Sequence, residues 1–389
     1  MDLNTQADVL ERINKHLDSG SDPLAPSTKL QKSSHYVSAA RLDQEQTSIF
    51  ASVPLVVGAS DRVRSPGDYF TDDLTGFSLI VVRGDDGALR GFHNSCGHRG
   101  AAVVDDNAGC TRRLTCPYHA WSYDNRGTLV SIPNDDGFDD IDRSTRGLIE
   151  LPVEERHGLV WARPTAQANE PVGVAAFLGD LDAELDAFNM ADYYHDRTEI
   201  LNESFNWKQV VDGFLETYHL RFLHSATIGP YINSNFALFD AYGPHGRMIG
   251  LRDSFETMRT LPPGEQELLP HVAIIYQIFP NTVLVWQADH FETWSSHPGD
   301  SPSSVAARAS LLAAPELAGP EYEARWDKNW QILMDTVLLE DFVVARTIHR
   351  NNLAAARQDV VFGRQEAALQ HFHSQLEARI ANDSSSPDT

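Results

Sequence analysis

The sequence predicts an α+β protein of two domains, and three observations carry that reading. Its 389 residues are enough for two domains, each with a core of its own. Between about residues 47 and 164 the chain runs in short apolar stretches separated by Gly/Asp/Asn turns. Beyond residue 164, long helical periodicities enclose a few strand-like segments.

Residues 5–18 read as a helix, with Ala7, Leu10, Ile13 and Leu17 near helical spacing, and Ser19 to Thr28 form a Gly/Pro/Ser-rich connector. Residues 1–46 are thus expected as an N-terminal arm and connector. Residues 47–164 carry runs such as Ser78–Val82, Leu129–Ile132 and Leu159–Ala162, punctuated by Gly84-Asp85-Asp86-Gly87 and Asn125-Arg126-Gly127. These predict a small antiparallel β domain. In residues 165–380, helices are expected over Val174–Phe188, Trp207–Leu223 and Tyr322 to about Gln358. Strands are expected over His271–Phe279 and Thr282–Gln287, joined at Pro280-Asn281 in a tight hairpin. This second domain reads as an antiparallel sheet flanked by helices. The Ser/Asp/Pro-rich residues 381–389 read as a disordered tail.

Composition excludes several partners. A formal net charge of -24, with no Lys/Arg-rich run, repels nucleic acid phosphates and anionic membrane surfaces. No segment approaches a membrane-spanning length and the first residues lack a signal-peptide pattern, so a cytoplasmic protein is expected. Three cysteines provide no disulfide framework. Two of them belong to a set that can bind metal. Cys96-Gly97-His98 is followed, after seventeen residues, by Cys116-Pro117-Tyr118-His119, so each short loop offers one thiolate and one imidazole. A Rieske [2Fe-2S] cluster takes two thiolates on one iron and two imidazoles on the other. Structural zinc also takes two of each, but its short loops usually pair Cys with Cys and His with His. Cys110, between the loops, is expected to be buried or half-buried.

A second group of ligand residues follows Asn206-Trp207-Lys208. Asp212, Glu216 and His219 would share one face of a helix, and His224 lies five residues further on, about 140° round a regular helix. Both histidines can reach one ion only if the helix loosens or ends there. A 2-His-1-carboxylate triad needs an acid, which leaves positions free on ferrous iron. Met334, Leu338, Asp341, Ala345 and Ile348 recur at helical spacing, placing Asp341 on an apolar stripe, with Glu340 rotated toward solvent.

Taken together, the two loops with their flanking Arg99-Gly100 and Ala120-Trp121-Ser122-Tyr123, Asn206-Trp207-Lys208, Glu216-Thr217-Tyr218-His219…His224, Glu340-Asp341 and Phe362-Gly363-Arg364-Gln365-Glu366 resemble the large (α) subunit of Rieske non-haem iron ring-hydroxylating oxygenases. The resemblance covers residues 35 to 378. It implies a [2Fe-2S] cluster on Cys96, His98, Cys116 and His119, and mononuclear Fe(II) on His219, His224 and Asp341. Electrons would come from a reductase or ferredoxin, O2 would be activated beside a small-molecule substrate, and the assembly would be a head-to-tail homotrimer with or without a small β subunit. Glu216 would bridge His219 to His119 of a neighbouring subunit; Asp212 is assigned to the catalytic group beside it. Most members carry Asp at the Glu216 position, whereas Glu is familiar from enzymes oxidising quaternary ammonium compounds. Thr217 follows where many of those have Cys, and Pro54-Leu55 departs from a common aromatic residue.

Phe214, Leu215, Phe236, Tyr276, Ile278 and Trp286 are the expected pocket walls, and Arg221, Arg247, Arg252 and His271 are available to a carboxylated substrate. The expected reaction is mono- or dioxygenation of an aromatic or similarly apolar small molecule. The alternative is attack on an N-methylated or quaternary ammonium compound. A reading from another class, a Rieske electron carrier, would make His219, His224 and Asp341 structural and leave two irons per chain instead of three.

Overall fold

A computed structural model describes residues 1–164 and 170–384, which form two compact units. The smaller comprises residues 50–177 and 189–192. Its sheets are antiparallel throughout, as the alternation of short runs and turns requires. A five-stranded sheet is ordered Glu150–Leu151, Leu89–His93, Leu79–Arg83, Asp68–Asp72, Ala108–Cys110. Two three-stranded sheets accompany it. One of these, formed by Arg113–Thr115, Ser122–Asp124 and Leu129–Ser131, carries the second cysteine loop between its first two strands. Leu114, Trp121, Tyr123, Phe92 and Val103 pack with Cys96 and Cys116 in one apolar cluster, so both thiols are anchored in a core. Cys110 instead lies exposed on the edge strand opposite Asp68, a correction to its expected burial: Ala108–Cys110 has a partner on one side only.

The larger unit holds residues 1–49, 178–188 and 193 onward. The first 49 residues are therefore built into it. Helix α1, Leu3–Ser19, is capped by Asp2 at its start and by left-handed Gly20 at its end. Strand Lys29–Lys32 pairs antiparallel with Asp359–Phe362. The main sheet has seven antiparallel strands: β1 Tyr194–Glu203, β2 Ile232–Tyr242, β3 His245–Arg252, β4 Val272–Ile278, β5 Thr282–Trp286, β6 His290–Pro298 and β7 Val305–Ala313. Their order is β1-β7-β6-β5-β4-β3-β2. β4 and β5 form the expected hairpin about Pro280-Asn281, with Ile278 opposite Thr282.

Three predicted helices are interrupted. Val174–Leu178 and Asp180–Asp186 are separated by Gly179 at φ 57, a left-handed conformation that ends a helix. The segment expected as Trp207–Leu223 is α2, Lys208–Phe214, then a break, then the single turn α3, Leu220–Leu223. The last long helix is α4, Glu323–Thr336, and α5, Phe342–Leu353, joined through a wider π turn at Val337–Asp341 and ending before Gln358. Helix α6, Ala367–Ser384, includes residues expected in the tail; residues 385–389 of that expectation lie outside the described ones.

The start of α2 is fixed by buried charge. Lys208 Nζ donates to both oxygens of Glu45 at 2.7 and 2.8 Å, Trp207 Nε1 donates to Glu45 at 2.8 Å, and Arg41 Nε donates to it at 3.0 Å. Burial lowers the Lys208 pKa, and Glu45 opposes that shift. Removing one member of such a pair leaves a buried charge uncompensated, so Glu45→Ala is expected to cost about 3–5 kcal/mol. Denaturant unfolding of the variant against the parent measures it, and a loss below about 1 kcal/mol contradicts it.

Candidate active site

The two cysteine loops close in the same way. In the first, Cys96 N donates to Ala101 O at 2.8 Å and Gly100 N to Cys96 O at 2.9 Å. In the second, Cys116 N donates to Trp121 O and Ala120 N to Cys116 O, both at 2.9 Å. The fifth residue of each is left-handed, Gly100 at φ 78 and Ala120 at φ 58. Two six-residue loops of one shape thus present their ligands toward each other. His98 and His119 bring their Nδ1 atoms to 3.1 Å, while Cys96 and Cys116 lie buried beside one another. Tyr123 Oη accepts from Gly97 N at 2.9 Å and sits 3.2 Å from Cys96 Sγ, to which it can donate. His98 stacks on Trp121, with centroids 4.8 Å apart and planes 9° from parallel, and Tyr118 covers His119 at 3.8 Å. Two sulfur and two Nδ1 donors, paired loop by loop, fit a Rieske cluster.

The mononuclear site uses the break after α2. α3 is one turn long, with His219 at its N-terminal boundary and His224 at its C-terminal boundary, so the five-residue spacing spans the turn. His219 O accepts from Phe222 N and Leu223 N, and His224 O from Thr227 N and Gly229 N. A Cβ on Gly229 would fall 2.5 Å from Leu220 O and 2.7 Å from His224 O, so only glycine permits this closure. The predicted distortion is present, and Gly229, five residues past His224, is the local signal that sequence reading missed.

Both Nε2 atoms then meet at 3.1 Å, with Asp341 Oδ1 at 3.1 Å from His224 Nε2 and 3.6 Å from His219 Nε2. All three ligand atoms lie within 4.8 Å of one another. The opposite nitrogens are occupied. His219 Nδ1 bonds Glu216 Oε1, and His224 Nδ1 bonds Glu340 Oε2 at 2.6 Å. Burial would lower the His224 pKa, but the Asp341 and Glu340 carboxylates overcome it and raise it. Two imidazoles and one carboxylate, each ring backed by an acid, form a facial triad that fits Fe(II).

Two expected positions are corrected. Glu340 is not the exposed flank of the helix: it bonds His224 and accepts from Thr227 Oγ1 at 2.8 Å, because the π turn brings consecutive acids to the site. Asp212 does not join Glu216 and His219 on one helical face, since α2 ends at Phe214. It accepts from Tyr36 Oη at 2.7 Å and lies 2.8 Å from His373 Nε2.

A cavity of about 470 Å³ opens on the triad. Its floor is one face of the sheet, where Met248, Ile275, Val285 and Glu292 stand opposite one another across β3 to β6, with Gly250 and Ala273 in the next row. Phe214, Ile228 and Ile232 add apolar wall, and beyond the triad the polar lining includes Arg252, Gln287, Asp289, Glu292 and Arg325. Of the expected pocket residues only Phe214 lines it. Tyr276, Ile278 and Trp286 have the opposite strand parity: Tyr276 Oη donates to Glu184 at 2.6 Å, and Trp286 packs on Phe188 and Phe291. Leu215 and Phe236 are core residues that do not reach the cavity. Among the expected basic candidates, Arg247 is held by Glu184 and Asp240, and Arg252 alone lines the cavity.

Cysteine-histidine loops and a separate imidazole-carboxylate triad together define an iron protein of Rieske type. The family models agree: a Rieske [2Fe-2S] domain matches residues 53–144, and a ring hydroxylating alpha subunit (catalytic domain) matches residues 190–382. The chain belongs to the Rieske non-haem iron oxygenase α-subunit family, with the two-domain α+β fold its sequence predicts. It is 29% identical over 188 residues to the carnitine monooxygenase oxygenase subunit of Acinetobacter baumannii, covering 47% of this chain and 49% of that protein. It is 30% identical over 183 residues to the benzene 1,2-dioxygenase subunit alpha of Pseudomonas putida, covering 45% and 40%. The matches thus span about half the length of these relatives or less. The fold is similar to the quaternary ammonium Rieske monooxygenase CntA, with a TM-score of 0.75 at 20% identity over 90% of this chain and 96% of that one. It is equally similar to naphthalene 1,2-dioxygenase from Rhodococcus sp., with a TM-score of 0.75 at 20% identity over 92% and 95%.

Replacing His98 or His119 by Cys is expected to lower the cluster potential and change its visible and paramagnetic spectra, because thiolate replaces imidazole on one iron. A parent-like spectrum and potential would refute the ligand assignment. Asp341→Ala should lose mononuclear iron and keep the Rieske spectrum, whereas Glu340→Gln should weaken mononuclear metal binding by about 10–100-fold without abolishing it. Metal analysis after dialysis against a graded chelator distinguishes ligand from support.

Proposed function

We propose that the protein is the terminal oxygenase component of a Rieske system, using O2 and electrons from a reductase or ferredoxin to hydroxylate an aromatic or similarly apolar small molecule. The observation that carries this reading is the triad opening onto a largely apolar cavity, with both outer imidazole nitrogens held by carboxylates. Ferrous iron on His219, His224 and Asp341 would supply the oxygen chemistry, and a cluster on the two loops the single electrons. The chain's own contribution is positional. Glu216 and Glu340 fix the tautomer and direction of each ring, and Met248, Ile275, Val285 and Phe214 keep water from the substrate's reacting face. An electron carrier would have no use for a cavity beside the triad.

Transfer between the centres is assigned to Glu216 in a head-to-tail homotrimer. Its Oε1 bonds His219 Nδ1 and its Oε2 accepts from His219 N at 3.1 Å, leaving a second lone pair on each oxygen. His119 is exposed and uses Nδ1 toward the cluster, so its Nε2 is available to a carboxylate of a neighbouring subunit. Exposed apolar side chains adjoin both centres: Tyr118 beside His119, Tyr218 and Phe222 beside the triad histidines, and Leu339 and Val343 flanking Asp341. Such clustering at a surface supports a subunit interface. Among the described residues no helix is long and apolar enough to cross a membrane.

A second reading, oxidation of a quaternary ammonium compound, is favoured by Glu216 and by the carnitine monooxygenase relative. Against it, Phe214 is the one phenyl, phenol or indole ring lining the cavity among the described residues, which is a poor cation-π cage. A screen of aromatic and trimethylammonium compounds, scored by oxygen uptake coupled to product, separates the two readings.

The oxygenase should hold three irons per chain and a pure electron carrier two. In a single turnover with the cluster pre-reduced and substrate and O2 present, Glu216→Gln should retain all three irons. Cluster reoxidation should nevertheless slow by at least about tenfold. Near-normal reoxidation would remove Glu216 from the transfer route, and loss of mononuclear iron would assign it to supporting His219 alone.

A further inference from the structure

We infer that the substrate carries a carboxylate on an apolar body and that Arg252 is the residue that selects it. This rests on the oxygenase reading above and specifies what that cavity takes. Arg252 ends β3, opposite Ile232 of β2 and in line with Met248 and Gly250 on the cavity floor. Its Nε donates to Val272 O at 3.1 Å and its Nη2 to Gln287 Oε1 at 2.5 Å. Two of five guanidinium N–H groups are thereby committed, which fixes the plane of the group. The other three, on the edge formed by Nη1 and Nη2, have no acceptor among the described residues, and no carboxylate there lies within 4.0 Å of Arg252. A carboxylate can take Nη1 and Nη2 together in a two-pronged bond along that edge.

The neighbouring charges are arranged to keep it free. Gln287 Nε2 donates to Glu292 Oε1 at 3.4 Å, which turns the amide so that its oxygen faces Arg252. Glu292 also lies 3.7 Å from His290 Nε2. Arg325, the other arginine lining the cavity, is bound to Asp289 and is not available in the same way. Arg252 is half-buried and lines the cavity with no carboxylate of the described residues within ion-pair distance. Gly250 and Ala273 leave the floor low between Arg252 and the apolar row of Met248, Ile275 and Val285, so one ligand can lie across both. Burial also lowers the Arg252 pKa, with Glu292 opposing.

The test is a binding measurement without turnover. The iron-loaded protein is titrated anaerobically in a calorimeter with benzoate, 3-phenylpropanoate and 2-naphthoate, each alongside its primary amide. At least one acid should bind at least about tenfold more tightly than its amide, as a charge-assisted two-pronged bond allows. Arg252→Gln should bring that acid to the level of its amide and leave the amide's affinity unchanged, which also shows that the cavity is intact. Arg252→Lys should recover part of the preference, because a point charge replaces a planar fork. No acid binding better than its amide, or a preference that survives Arg252→Gln, would overturn the inference. Iron content and single-turnover reoxidation are read on the same samples. A parent protein that shows no acid preference while those are normal therefore rejects the substrate class alone, whereas a parent in which those fail rejects the oxygenase reading.

Discussion

Two imidazoles can share one metal only if something other than the metal decides where their rings point. In this protein that task falls to the carboxylates on the outer nitrogens, Glu216 on His219 and Glu340 on His224. Each accepts the Nδ1 proton and thereby leaves Nε2 as the lone-pair donor facing the site. Regular helix cannot satisfy this constraint. A continuous α2 would carry His219 and His224 apart, so the chain stops at Phe214 and turns once more through α3. A regular helix through residue 341 would direct Glu340 and Asp341 about 100° apart, and the π turn brings both consecutive acids to the triad.

The legibility of this site follows the range of the interactions that make it. The cluster loops are local: each places its Cys and His within four residues, and each shape depends on hydrogen bonds inside six residues, so spacing alone indicates the chemistry. The triad histidines were legible as candidate ligands, and bringing them together required a break in the helix. Its turn depends on Gly229, close-packed on Leu220 and His224, a contact that helical spacing does not encode. Asp341 could be placed on the helix face by periodicity. Glu340 was misjudged by the same periodicity, because a π turn changes the angle per residue and leaves no residue-type signature in Val337–Asp341.

The pocket was less legible for a simpler reason. A strand buried on both faces, such as β4 with all seven residues buried, reads as a continuous apolar run and does not reveal which parity faces a ligand. Tyr276, Ile278 and Trp286, expected as pocket walls, fill the face toward Glu184 and Phe188. The cavity takes the smaller members, Ala273, Ile275 and Val285, because empty volume is left where side chains are short. Large aromatic residues in a half-read sheet are thus better evidence for the packed face than for the open one.

Buried charge elsewhere in the larger unit serves the same geometry. Glu45 holds Lys208 and Trp207 at the start of α2, and Asp212 in its last turn is held by Tyr36 and His373. An apolar pair could stabilise such a helix as well, since desolvating Lys208 and Glu45 offsets much of their attraction. It would not resist small slides or rotations of the helix. A hydrogen-bonded ion pair has one good register, and losing it exposes an uncompensated charge to an apolar core. With α2 pinned by such contacts at both ends, the turn at Leu215 begins from a fixed point, and the placement of Glu216 against His219 follows from that point.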